Sequence, residues 1–331
     1  MKRKLFLHVG PHKTGTTLIQ KVFLDNQSEI LGNGLLYPKN YIRIFGHHHF
    51  RDLIKDRALS QSDHDFFKDI NSNVLLSSED FISFSVDDFK YLRDSFEDFD
   101  INIIYSWRRS SLKMYSIWQE IVKHGQSISF FDFYHEHLAK PGQSYMLSAD
   151  LQVSRFVNLF GKSHVHLIDY DKSCADKNLL ELFFSIVECE YKPSYLDGSK
   201  NKMSSNVSLS PYDTEIIRVL NALMAEKYNL VGNVVRETYL ENYSDLDSDM
   251  MSNLTGIMKN SMIELPVGDY FIDKRVEKIM TEKFIDRFIN YDKKSYKSIV
   301  NIVRDNWLLN QNSFALLNQL ATQLNEKVKY D

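Results

Sequence analysis

The stretch His8-Val9-Gly10-Pro11-His12-Lys13-Thr14-Gly15-Thr16-Thr17 decides the reading of this chain. It follows an apolar run, Leu5 to Val9, and leads into Thr16 to Asn26, where Ile19, Val22 and Phe23 recur at helical spacing. A glycine-bounded loop carries meaning only in such a strand–loop–helix setting. There its backbone N–H groups turn inward, and the following helix adds unpaired N–H groups and about half a positive charge at its N-terminus. Lys13 adds a full charge, Thr14, Thr16 and Thr17 add hydroxyls, and Pro11, His12 and Gly15 complete the loop. The segment predicts a socket for a phosphate.

Loops that hold nucleoside triphosphates read G-x-x-x-x-G-K-[ST]. Gly10 and Gly15 keep that spacing, but Thr16 stands where the lysine belongs, and the lysine is Lys13 inside the loop. The lysine that reaches the β- and γ-phosphates in an ATPase or GTPase is therefore missing. A donor with a single 5′-phosphate carrying a transferable group has less need of it.

Three further apolar runs read as buried parallel strands: Val74 to Ser78, Ile101 to Trp107 and Val165 to Tyr170. Helical periodicity lies between and after them, at Leu112 to Lys123, Leu151 to Phe160 and Leu179 to Val187. The alternation predicts an α/β fold of three layers, a central parallel sheet flanked by helices. Beyond about residue 190 only helices are legible, at Tyr212 to Tyr228, Val276 to Ile289 and Ser313 to Tyr330. The expected division is a core over 1–210 and a mainly helical C-terminal region over 211–331.

The strand Ile101 to Trp107 ends in Arg108-Arg109-Ser110-Ser111, and the helix after it carries Ser116. An arginine at a strand's C-terminal end lies on the edge where open α/β sheets bind ligands. Its planar fork suits phosphate oxygens. Arg108 with Ser116 predicts a second anion site, the alternative being a surface ion pair.

Composition sets the remaining bounds. The chain has 331 residues, 43% hydrophobic and 25% charged, with net charge −4, so a nucleic-acid partner recognised through bulk positive charge is not expected. Two cysteines, Cys174 and Cys189, supply neither a disulfide framework nor a cysteine-based metal site. The first residues read as a strand rather than a signal peptide, and no apolar run approaches a membrane span. A soluble, cytoplasmic protein is expected. The oligomeric state is not legible.

Together the two anion sites resemble the donor-binding motifs of the sulfotransferases that use 3′-phosphoadenosine 5′-phosphosulfate (PAPS). The fragment HVGPHKTGTTLIQ resembles their 5′-phosphosulfate loop, particularly in bacterial members, and Arg108-x7-Ser116 resembles their 3′-phosphate motif. Weaker echoes lie in 160–172, 206–211 and 288–296. The resemblance implies that Lys13 stabilises the leaving group, that Thr14, Gly15, Thr16 and Thr17 cradle the 5′-phosphate, and that Arg108 and Ser116 bind the 3′-phosphate. It also places Tyr170 near the adenine, and the basic run Ser199 to Lys202 offers a loop over the 3′-phosphate, the alternative being a solvated surface loop. No metal is required, and a saccharide or glycolipid acceptor is expected.

That family uses a histidine or a glutamate as base, and two segments offer one. Glu79 lies just beyond the second strand in Ser77-Ser78-Glu79-Asp80, which also reads as a helix cap. His48 and His49 belong to the run His47-His48-His49, which also suits a surface loop. Two alternatives to a sulfotransferase remain at this level. A small-molecule kinase would use the Glu79-Asp80 strand end for magnesium, and a non-catalytic module would bind nucleotide without turning it over.

Overall fold

A computed structural model describes residues 2–144, 146–196, 209–267, 270–292 and 298–328. The chain divides into two compact units whose segments alternate along the sequence. The first comprises Met1–Ser110, Pro141–Asn206 and Phe271–Tyr296, and the second Ser111–Lys140, Val207–Tyr270 and Lys297–Asp331. The boundary expected at residue 210 follows chain order, whereas the compact units do not.

The first unit is built on a parallel sheet of strands β1 (Arg3–His8), β2 (Leu35–Leu36), β3 (Asn73–Ser77), β4 (Phe99–Trp107) and β5 (Val165–Asp169). Their order across the sheet is β2-β3-β1-β4-β5. β1 pairs on one side with β3 (Leu5 with Val74) and on the other with β4 (Leu5 with Ile101). The chain thus departs to opposite sides of β1, and ligands of open α/β sheets bind at the carboxyl end of such a switch point. β3 and β4 are almost wholly buried, as strands covered on both faces must be. This is the expected α/β architecture.

Helices α1 (Thr16–Asp25), α2 (Gln27–Gly32), α3 (His48–Lys55), α4 (Gln61–Asp69) and α5 (Val86–Ser95) belong to this unit. α4 and α5 begin with reciprocal capping boxes, Ser60 with Asp63 and Ser85 with Asp88. Phe23 of α1 stacks on Phe184 at 4.6 Å and meets Phe183 edge-on at 5.6 Å, binding α1 to the helix Leu179–Ile186 over the sheet. A separate aromatic group joins Phe50 of α3 to Phe67, Phe96 and Phe99. The expected helix over 276–289 instead spans Phe271–Phe284. Phe288 then pairs with Leu167, and the Asn290 side chain binds the backbone N–H and C=O of Asp169 at 2.8 and 2.9 Å. This segment supplies hydrogen bonds along β5 that a helix would have kept to itself.

The second unit centres on the helix Pro211–Tyr228, capped by Ser210 with proline at its first position. Buried Glu215 and Arg218 pair within one turn, and the Trp307 indole N–H donates to Glu215 at 2.8 Å. An antiparallel pair, β6 (Met262–Val267) with β7 (Ser298–Val303), lies beside further helices and was not legible in the sequence. The helix expected over 313–330 spans Gln311–Asn325. The basic loop Ser199 to Lys202 lies outside the described residues, as do parts of 206–211 and 288–296. Among the described residues no helix is long and apolar enough to cross a membrane.

Phe183 is fully buried against Phe23 and His8. Replacing it with alanine should cost about 3–5 kcal/mol, the usual range for a buried aromatic. A denaturant midpoint unchanged from wild type would show that this layer does not hold α1 on the sheet.

Candidate functional site

The glycine loop leaves β1 at the switch point. Gly10 adopts φ 76°, and a Cβ there would lie 2.9 Å from the Glu79 Cα, so only glycine allows the loop to press on the end of β3. The Gly10 carbonyl accepts from Ser106 N–H at 2.9 Å, tying the loop to β4 as well. Gly15 has φ 75°, and a Cβ would meet Leu179 Cδ2 at 2.6 Å and Tyr170 Cε2 at 3.2 Å. Gly15 occupies the N-cap of α1 without a capping side chain, which leaves first-turn amides to an incoming anion. Between the glycines Lys13 adopts φ 65°, a left-handed conformation that costs a side-chain-bearing residue roughly 1 kcal/mol. Thr14 is buried and donates its hydroxyl hydrogen to the Pro11 carbonyl at 2.6 Å, so that hydroxyl holds the loop's shape.

Arg108 stands at the end of β4, next to the loop. Its Nη1 donates to the Lys13 carbonyl at 2.9 Å, its Nε lies 3.6 Å from Asp171 Oδ1, and its guanidinium sits 5.5 Å from the Tyr170 ring centre. Tyr170 in turn lies against Gly15. The structure thus brings Lys13, Arg108 and Tyr170 together. Ser116 is half-buried on the helix Ser110–Lys123 and belongs to the second unit. Arg109 serves a different end. It is buried with Asp169, Asp171 and Glu277 around it at 3.1–3.3 Å.

The other side of the loop carries an acid–base cluster. Glu79 opens the short helical turn Glu79–Ser83 after β3 and accepts from the Gln20 side-chain amide at 2.8 Å. His12 Nδ1 approaches Glu79 Oε1 at 4.0 Å. Asp80 receives His12 Nε2 at 3.1 Å on one oxygen, and His48 Nδ1 at 3.2 Å and Arg51 Nη1 at 2.7 Å on the other. Hydrogen bonds from His12 and then His48 hold Asp80 far below the usual carboxylate range. Asp80 in turn raises His48 above the ordinary imidazole value, against the opposing effect of burial. The capping reading also holds, since Ser78 Oγ accepts from Asp80 N–H at 3.3 Å.

The three consecutive histidines diverge. His47 is buried, accepting from Ser77 N–H on Nδ1 and donating from Nε2 to Pro38 O, and burial lowers it to about 3. His49 turns to Arg43 at 3.2 Å, so of the two histidines put forward as base only His48 reaches Asp80. Buried His8, bonded to Ser77 Oγ at 2.8 Å, is likewise lowered to about 3. The sequence reading missed Asp80's bridging role, Gln20, Arg51 and Gly46. A Cβ on Gly46 would lie 2.7 Å from Gln20 Nε2, so a larger residue there would displace the amide that holds Glu79.

No family model and no curated protein matches the chain. Among solved structures it is similar to a sulfotransferase from Alicyclobacillus acidocaldarius, at 14% identity over 68% of this chain and 96% of that one, with a TM-score of 0.38. It is also similar to the sulfotransferase domain from the curacin biosynthetic pathway, at 11% identity over 85% and 98%, with a TM-score of 0.39.

The Asp80 cluster sets a pH dependence with a definite sign. Because His48 is raised in the folded state, its stabilisation is complete below the unfolded value near 6.5 and fades as pH rises through the folded value. Asp80→Asn should cost roughly 1–3 kcal/mol at pH 6. Measured by chemical denaturation between pH 5 and 8.5, the gap from wild type should narrow toward the alkaline end. A gap that stays constant or widens would contradict the pairing.

Proposed function

We propose that the chain transfers a sulfuryl group from PAPS to a hydroxyl or amine by in-line displacement. The observation that carries this reading is the arrangement of one glycine loop, with its lysine inside, beside the strand-end arginine Arg108 and the ring of Tyr170. Loop amides and the N-terminus of α1 suit the 5′-phosphate, and Lys13 suits the bridging oxygen that gains charge as the S–O bond breaks. Arg108 suits the 3′-phosphate that distinguishes this donor from ordinary adenine nucleotides. Such a transition state is stabilised by position and charge rather than by a bound metal.

Glu79 is the better candidate for the base. It lies against the loop, oriented by Gln20, where an acceptor in line with the donor would present its proton. His48 is engaged instead with Asp80 at 3.2 Å and is the second candidate. The ion pairs of Asp80 with Arg51 and two histidines also argue against its use as a magnesium ligand in a kinase. A saccharide or glycolipid acceptor and a cytoplasmic location are proposed from the loop's likeness to bacterial members of the family.

Calorimetry in the presence of a chelator should give adenosine 3′,5′-bisphosphate an affinity at least about 10-fold above that of AMP, the worth of one charged hydrogen-bond pair. Equal affinities would contradict the assignment of Arg108. With labelled PAPS and a panel of sugars, glycolipids and phenols, Lys13→Ala should lower transfer by about 100-fold or more. Unchanged transfer would remove Lys13 from the leaving-group role, and magnesium-dependent ATP turnover would favour the kinase.

A further inference from the structure

We propose that Arg108 braces the loop Gly10–Thr17, so that the residue assigned to the 3′-phosphate also sets the strength of the 5′-phosphate site. The inference rests on reading that loop as an anion site.

The peptide between Lys13 and Thr14 is the point of contact. A peptide unit is planar, so the direction of the Lys13 carbonyl fixes the opposite direction of the Thr14 N–H. Arg108 Nη1 holds that carbonyl at 2.9 Å. On the far side of the same unit, the Thr14 hydroxyl is anchored to the Pro11 carbonyl at 2.6 Å. Lys13 itself has φ 65°, a conformation a lysine leaves readily unless its neighbours prevent it. The brace therefore acts where the loop is most prone to relax.

The guanidinium is itself held. Asp171 Oδ1 lies 3.6 Å from its Nε, and Tyr170 lies beneath it at 5.5 Å. Tyr170 also abuts Gly15, the residue that ends the loop and begins α1. Segment 170–171 thus positions Arg108, and Arg108 positions Lys13 and Thr14. An arginine serving only a 3′-phosphate would have no need of the loop carbonyl.

Two consequences separate this role from 3′-phosphate binding alone. Ligands with no 3′-phosphate should still depend on Arg108, and the loop should loosen without any ligand present. Wild type, Arg108→Ala and Arg108→Lys are compared by amide hydrogen exchange over residues 10–17 and by calorimetry with AMP and with adenosine 3′,5′-bisphosphate. In Arg108→Ala the loop amides should exchange about 10-fold faster, and AMP should bind about 10-fold more weakly, the loss of one charge-assisted hydrogen bond. Arg108→Lys can still donate to the carbonyl. It should restore AMP binding to within about 3-fold of wild type while recovering only part of the preference for the bisphosphate, because it lacks the fork.

Unchanged loop exchange in Arg108→Ala would overturn the brace, as would AMP binding equal to wild type alongside a lost bisphosphate preference. If neither nucleotide bound the wild-type protein, the proposed function would fall, and the exchange comparison would still decide the brace. If Arg108→Ala did not fold, Arg108→Met, which fills the space without a donor, would be read in the same way.

Discussion

The candidate site depends on close backbone approach at the two ends of one loop. Gly10 presses on the Glu79 backbone and Gly15 on Leu179 and Tyr170, and neither contact leaves room for a Cβ. Those approaches bring groups from the ends of β3, β4 and β5 around a single turn of chain. Because the strands are parallel and adjacent, their carboxyl ends coincide, and the loop from the central strand becomes the meeting point.

The electrostatics follow from that convergence. On one side, Arg108, Tyr170 and Asp171 adjoin the Lys13 carbonyl. On the other, Asp80 gathers His12, His48 and Arg51 while Glu79 remains with Gln20. Two neighbouring carboxylates thus have unlike surroundings. One is committed to three basic side chains. The other is hydrogen-bonded by a neutral amide and lies against the loop. Such division is how adjacent acids come to hold different roles.

Much of the fold was legible because β1, β3, β4 and β5 are largely buried and read as runs rich in Leu, Ile and Val. β2 is only Leu35–Leu36, too short for any periodic signal, and β6 and β7 pair across more than thirty residues of chain, which local pattern does not record. The loop was legible for a different reason: its glycines and lysine are contiguous. Asp80 was not, since its partners lie 29, 32 and 68 residues away and a capping role accounted for it locally. Gln20 and Gly46 carried no signal at all, because an amide facing a carboxylate and a glycine beneath it matter only once the chain has folded.

The central claim is that the loop and Arg108 form the two phosphate subsites of one nucleotide. The most direct test is a crystal structure with adenosine 3′,5′-bisphosphate. The 5′-phosphate should lie on the amides of Lys13 to Thr17, the 3′-phosphate on the Arg108 guanidinium, and the open side of the 5′-phosphate should face Glu79. A nucleotide bound with its 3′-phosphate away from Arg108, or bound elsewhere than the loop, would contradict it.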